Sequence, residues 1–259
     1  MSNDRQQRAA RAEQMRKDRE KAEKRQRNVI TSIIVVVVIA LVGGAGYAIQ
    51  KTVADNKAEN KVVTPKGATK DYGILYTPED AGSTKKDADP VRVTLYEDLQ
   101  CPVCKAFEQA YGPVLEQMVR SGEIEVEYRF LSFLDRTSPN EYSSRAGSAV
   151  VCAFTEGGPA KFKQVHDALY QNQPEEGTAG PDNKELLATL ESAKVTGATA
   201  CVNQARYAPW VKKADEAARD AKVTGTPTVE VAGEKVEGAQ GGVPTMDQIQ
   251  KAIAAAKKS

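Results

Sequence analysis

The segment from Val29 to Ile49 runs for 21 residues without a charged side chain. At about 1.5 Å per helical residue it would span roughly 30 Å, the thickness of the hydrocarbon core of a bilayer. A soluble core helix of this length normally carries a polar stripe, and the stretch from Ile33 to Leu41 has none. The pattern therefore predicts a transmembrane helix over residues 29–49, with the rest of the chain divided between its two sides.

The charges that flank this segment predict its orientation. Residues 1–28 carry ten basic and five acidic side chains, and the basic ones nearest the apolar segment are Lys24, Arg25 and Arg27. Basic flanks stay with the cytoplasmic leaflet, so we expect 1–28 to be a cytoplasmic tail of a single-pass cell-membrane protein. The alternative is a cleaved signal peptide, although its apolar region would be unusually long.

Beyond the apolar segment the composition changes twice. Residues 50–69 are polar, with mixed charge, and predict a linker. From residue 70 onward, hydrophobic periodicity predicts strands and helices in a defined order: an edge strand near 73–76, a strand at 91–96, a helix from 103, a strand at 124–130, a helical block at about 140–220, a hairpin at 228–236 and a helix at 245–258. This order predicts an α/β fold with an inserted helical domain.

Overall composition excludes several classes of function. The chain has 36 basic and 35 acidic side chains, which argues against a protein that neutralises nucleic-acid phosphates. Only 6% of the residues are aromatic, too few for a base-stacking platform. A single histidine rules out a zinc site with two or more histidine ligands. We expect no nucleic-acid partner and no metal site.

The four cysteines include one closely spaced pair, Cys101 and Cys104. A Cys-x-x-Cys pair can supply half of a zinc site, form an inert structural disulfide or act as a redox dithiol. Zinc requires four ligands, and the other soft candidates form no second paired motif: Cys152, Cys201 and His166. The position of the pair, between a predicted strand and a predicted helix, favours redox chemistry.

That position also gives the pair a mechanism. Pro102 suits the first helical position, so the free N–H groups of the helix N-terminus should stabilise a Cys101 thiolate. Cys104, one turn later, should be buried. Val103 adds neither charge nor hydrogen bond, so we expect a less oxidising pair than Cys-Pro-His-Cys would give. The redox-active Cys101–Cys104 disulfide would then be the only redox group, with no bound cofactor.

Three motifs give the chain a family resemblance: Tyr96-Glu-Asp-Leu-Gln-Cys-Pro-Val-Cys104, Glu125-Val-Glu-Tyr-Arg129 and Val223-Thr-Gly-Thr-Pro-Thr-Val-Glu-Val231. Together they resemble the DsbA-like thiol-disulfide oxidoreductases of the thioredoxin superfamily, specifically the membrane-anchored actinobacterial type. The resemblance covers residues 70–259. It implies a thioredoxin fold in which the block at about 140–220 is the family's inserted helical domain.

The resemblance also implies roles for individual residues. Cys101 would be the nucleophile and Cys104 the resolving cysteine. Thr226 and Pro227 match the cis-proline loop, where the residue before proline offers its backbone to an extended substrate. The alternative for this segment, seen alone, is an ordinary turn before a strand.

At one position the chain departs from the family pattern. Many thioredoxin-like proteins place a buried acid six residues before the first cysteine, and here that residue is Leu95. Glu97 and Asp98 lie nearer to the pair, so the acceptor of the Cys104 proton stays open.

The remaining cysteines, Cys152 and Cys201, fall within the helical block. Similar actinobacterial proteins carry a structural disulfide there, and the resemblance implies the same pair here. An exported location would favour that pairing. The alternative is two buried, unpaired thiols.

The sequence thus predicts an extracytoplasmic oxidase that introduces disulfides into exported proteins. The resemblance implies a membrane reoxidase of the DsbB or VKOR type, because each turnover leaves the dithiol reduced. Two alternatives remain open: a reductase or isomerase with the same fold, and a non-catalytic anchored binding module.

Overall fold

The computed structural model describes residues 62–84 and 89–258. The predicted cytoplasmic tail (1–28), the predicted transmembrane helix (29–49) and most of the predicted linker (50–69) lie outside the described residues. Within the two described ranges, no helix combines the length and the apolar character needed to cross a membrane.

The described chain alternates between sheet and helix in the predicted order. Its elements are β1 (Ile74–Tyr76), β2 (Val91–Glu97), α1 (Pro102–Arg120), β3 (Ile124–Phe130), α2 (Tyr142–Gly157), α3 (Pro159–Gln171), α4 (Asn183–Ser192), α5 (Thr199–Asn203), α6 (Ala208–Asp220), β4 (Thr228–Val231), β5 (Glu234–Val236), a 3₁₀ turn (Ala239–Gly241) and α7 (Met246–Ala256).

The strands form one five-stranded sheet in the order β1-β3-β2-β4-β5. β2 and β3 are parallel, with Val93 opposite Val126, and the other neighbours are antiparallel. A parallel pair needs a crossover connection, which α1 supplies. Both central strands consist largely of buried β-branched and aromatic residues, as expected for strands covered on both faces. The predicted α/β fold is confirmed.

The helical block forms a second layer of the core. α2 packs against α3 and α6, and α3 also packs against β1. The large side chains of this layer, Tyr142, Phe162 and Trp210, are at most 1% exposed. A disulfide between Cys152 on α2 and Cys201 on α5 closes a separation of 49 residues. It is the pairing that the family resemblance implies.

The folded domain begins before residue 70. Val63 and Ala68, within the predicted linker, pack against the main hydrophobic core. The Thr69 hydroxyl donates to Glu127 Oε1 at 2.5 Å. Residues 62–69 are therefore part of the packed domain. Their polar composition predicted a linker, but the few apolar side chains of this segment contact the hydrophobic core.

Candidate active site

The two cysteines of the close pair lie where β2 gives way to α1. Cys101 is the N-cap residue of α1, and Pro102 occupies the first turn. Cys101 is 8% exposed and Cys104 is fully buried; both are free thiols. The first turn of a helix leaves its N–H groups without intrahelical partners, so these groups can stabilise a thiolate at the N-cap position.

A loop from the far end of the domain completes the site. The Thr226–Pro227 peptide bond is cis, and β4 begins at the next residue, Thr228. Because β4 pairs with β2, the loop lies beside the N-terminus of α1. The Cys101 thiol donates to the Thr226 carbonyl oxygen at 3.4 Å, across 125 residues of sequence. The structure thus brings Cys101 and Thr226 together.

The two thiols have opposite electrostatic environments. The pKa of Cys101 is lowered to about 6, first by a hydrogen bond from the Cys104 thiol. Burial opposes this shift, while the Thr226 side chain and the backbone N–H groups of Val103 and Cys104 support it. The pKa of Cys104 is raised well above its usual value, first by burial, then by donation to Cys101 and by the charge of Glu97. One sulfur is therefore a thiolate near neutral pH and its neighbour is not.

The alkylation rate of the reduced protein should reveal this difference. Only the thiolate reacts, so modification of Cys101 by iodoacetamide should rise with pH, reach half its maximum near pH 6 and then level off. Cys104 should stay unmodified over that range. In Cys104→Ala the main stabilising donor is lost, so the midpoint should move to higher pH. A wild-type midpoint near the ordinary thiol value of 9.0 would contradict the assignment.

Asp98, one of the two acids near the pair, has a structural role. Its Oδ1 accepts hydrogen bonds from the Ser143 hydroxyl at 2.6 Å and the Gln100 N–H at 2.9 Å. Its Oδ2 accepts from the Leu134 N–H at 3.0 Å. Burial raises the pKa of Asp98 to about 7 despite these bonds. Asp98 therefore ties the loop before Cys101 to the helical block.

Glu97, the other acid, is fully buried and lies against the single histidine. His166 Nε2 is 3.0 Å from Glu97 Oε2, and His166 Nδ1 is 2.9 Å from Asp167 Oδ1. Burial alone would lower the pKa of His166, but its bonds to Asp167 and Glu97 outweigh burial and raise it to about 9. The sequence spacing does not link His166 to Glu97, which lies 69 positions away.

Gln173 is a second contact that the sequence did not reveal. It follows α3, and its Nε2 donates to the carbonyl oxygens of Leu99 at 3.1 Å and Cys101 at 2.9 Å. The segment that follows α3 therefore holds the backbone of the loop between β2 and α1 in place. Cys152 and Cys201 are bonded to each other within that block and form a separate pair.

A Cys-x-x-Cys pair at a helix N-terminus, opposite a cis-proline loop on the same sheet, defines the thiol-disulfide oxidoreductases of thioredoxin fold. A family model described as thioredoxin matches residues 84–255, and the chain therefore belongs to the thioredoxin family. Within this family its domain is a thiol-disulfide oxidoreductase of the DsbA type, as its relatives indicate.

Solved structures from Mycobacterium tuberculosis illustrate this similarity. Reduced DsbG, a disulfide bond oxidoreductase, is 29% identical with a TM-score of 0.57, and the match covers 74% of this chain and 97% of that one. Oxidised DsbA is 31% identical with a TM-score of 0.55, covering 71% and 99%. A probable disulfide bond formation protein D from Bacillus anthracis is 25% identical over 198 residues, covering 70% of this chain and 85% of that protein.

A different kind of relative matches only part of the chain. The serine/threonine-protein kinase PknE of M. tuberculosis is 30% identical over 112 residues, which are 42% of this chain and 19% of the kinase. This chain therefore matches less than a fifth of that relative's length.

Proposed function

We propose that the protein is a membrane-tethered oxidase that introduces disulfides into exported proteins. One observation carries the proposal: Cys101 lies at the N-terminus of α1 with a pKa lowered to about 6, while Cys104 stays buried with a raised pKa. A thiolate of low pKa is a good leaving group, and it stabilises the reduced form relative to the disulfide. Both effects favour transfer of the disulfide to a substrate.

The proposed cycle starts from the Cys101–Cys104 disulfide. A substrate thiolate attacks the Cys101 sulfur, the bond to Cys104 breaks, and Cys104 leaves as a thiolate that takes up a proton. A second substrate thiolate then attacks the substrate sulfur of the mixed disulfide and releases the Cys101 thiolate. Two electrons pass from the substrate to the pair, and the substrate gains one disulfide.

The surroundings of Cys101 suit an extended polypeptide. The Thr226 carbonyl oxygen already accepts a bond from the Cys101 thiol, and in a complex it could accept from a substrate N–H instead. Pro227 is buried and holds the loop, whereas Val103 is 50% exposed beside the reactive sulfur. We assign Thr226 and Pro227 to substrate positioning, and Val103 to apolar contact with the client.

The cycle needs a second partner, because it ends with a reduced pair. We propose a membrane reoxidase of the DsbB or VKOR type, which would accept the two electrons. Residues 29–49 would keep the domain at the extracytoplasmic face of the cell membrane, close to that partner and to emerging chains. The cysteine pair itself would be the only redox group, and exported protein thiols the substrates.

The reduction potential of the Cys101–Cys104 pair tests the direction of transfer. We expect a value nearer the DsbA potential of about −120 mV than the thioredoxin potential of about −270 mV. Val103→His should make the pair more oxidising, because a histidine there can favour the thiolate with a charge or hydrogen bond that valine lacks. Equilibration with glutathione, followed by quenching and mass analysis, measures both proteins.

The same experiment separates the oxidase from its closest rival. A wild-type potential near −270 mV would overturn the oxidase proposal in favour of a reductase with the same fold. A Cys101 pKa lower in wild type than in Val103→His would contradict the assigned effect of Val103.

A further inference from the structure

Three buried side chains meet where β2, α1 and α3 pack together: Glu97, Glu108 and His166. One ligand-capable atom from each lies within 4.8 Å of the others. Glu97 and His166 are 0% exposed and Glu108 is 8% exposed. On both glutamates Oε1 is buried and has no hydrogen-bond partner. Buried carboxylate oxygens without donors are costly, so this cluster is incomplete as a hydrogen-bonded network.

We propose that Glu97, Glu108 and His166 form a binding site for a divalent transition-metal cation of the Zn²⁺ type. One imidazole and two carboxylates are a donor set that such cations accept, at about 2.0–2.2 Å per bond. Bonds of that length place neighbouring ligands of a tetrahedron roughly 3.3 Å apart. His166 Nε2 and Glu97 Oε2, at 3.0 Å, are already close to that separation.

The surroundings of His166 match those of a metal-binding histidine. Its Nδ1 lies 2.9 Å from Asp167 Oδ1, so an Nδ1–H can donate to that carboxylate. Such a bond fixes the ring and directs the Nε2 lone pair away from Asp167, the arrangement that commonly supports a zinc-bound histidine. On binding, the cation takes the place of any Nε2 proton, which passes to solvent.

Charge and space also favour a cation. The site holds two buried carboxyl groups, and a divalent cation would favour the ionised form of both. The nearby Lys163 ammonium is bound to Asp167, which partly neutralises its charge. Gly112 leaves room for Glu108, since a Cβ there would lie 2.8 Å from Glu108 Oε2.

A route of entry lies beside the cluster. A pocket of about 260 Å³ is lined by Glu108 itself and opens between α1 and α3. Asp167 and Tyr170 also line this pocket, and the Tyr170 ring packs edge-on against His166 at 5.0 Å. A hydrated cation can therefore approach Glu108 from solvent, and the pocket can supply water as a further ligand.

Nothing in the sequence spacing indicated this site. Its three residues come from a strand end and two helices, and Glu108 and His166 are 58 positions apart in the sequence. The sequence offers no second paired cysteine or histidine motif, so no metal site was predicted. The folded arrangement instead collects one histidine and two acids.

The test uses the full, tag-free chain with Cys101 and Cys104 oxidised, so that thiols cannot bind the probe. His166 is the single histidine of the chain, so its imidazole NMR signals are unambiguous. Titration with Zn²⁺ should shift those signals and saturate at one equivalent. Isothermal calorimetry should give a Kd that weakens at least about tenfold in Glu108→Gln and about 10–100-fold in Asp167→Asn.

Glu116→Gln is the matched control, because Glu116 lines the same pocket outside the cluster. It should bind Zn²⁺ like the wild type. If Glu108→Gln does not fold, Asp167→Asn and the wild-type imidazole signals still decide the matter. The proposal is overturned if Zn²⁺ leaves the His166 signals unchanged, or if Glu116→Gln and the cluster variants bind equally. The oxidase proposal does not depend on this result, since no redox step is measured.

Discussion

Cys101→Ala should reduce the oxidation of reduced ribonuclease to the uncatalysed rate, whereas Cys104→Ala should accumulate a mixed disulfide with a client peptide that carries a single thiol. Cys101 is the thiol at the helix N-terminus with the lowered pKa, so its removal leaves no nucleophile or leaving group at the surface. Without Cys104, no thiol of the protein can attack the bond between Cys101 and a client, and a client with a single thiol has no second thiol to release itself. Ribonuclease activity follows turnover, and non-reducing gels with mass spectrometry identify the trapped species.

Two controls make this pair of variants decisive. Cys104→Ala is first charged by glutathione disulfide, which supplies the oxidising equivalent that the missing pair cannot hold. The Cys101→Ala protein, treated in the same way, should trap nothing, because Cys104 is buried. If Cys101→Ala retained the wild-type rate, the pair would be structural and the non-catalytic binding module would be the better account.

The fold and the redox pair were predictable because their signals are local. β2, α1 and β3 follow hydrophobic periodicity, and Cys101 with Pro102 marks the junction between strand and helix. Periodicity alone did not predict the contact between Cys101 and Thr226. That contact was implied by the resemblance of two motifs, more than 120 residues apart, to the same protein family.

Other features depend on tertiary packing and had no local signal. Glu97 and His166 meet only because α3 lies against the end of β2. Gln173 contacts the Cys101 backbone only because the segment after α3 packs over the loop between β2 and α1. The residue six positions before Cys101 is Leu95, which is buried without charge. Here the buried carboxylate whose charge raises the pKa of Cys104 is instead Glu97, two positions further along the same strand.

Removing the Cys152–Cys201 disulfide should cost about 4 kcal/mol of the free energy of unfolding. The bond closes a loop of 49 residues, and in the chain-entropy model a loop of this length raises the free energy of the unfolded chain by about that amount. Because the bond joins α2 to α5, its loss should weaken the helical block first. Urea unfolding, followed by the fluorescence of Trp210, the single tryptophan, measures the effect within that block.

The comparison is cleanest in a Cys101→Ala/Cys104→Ala background, where no other cysteine of the chain can exchange with the structural pair. In that background, Cys152→Ala/Cys201→Ala should lower the unfolding midpoint. Chemical reduction without substitution should lower it by a similar amount, since both treatments open the same loop. A loss below about 1 kcal/mol in both would show that packing around α2 holds the block together, and that the cross-link adds little to the constraint on the unfolded chain.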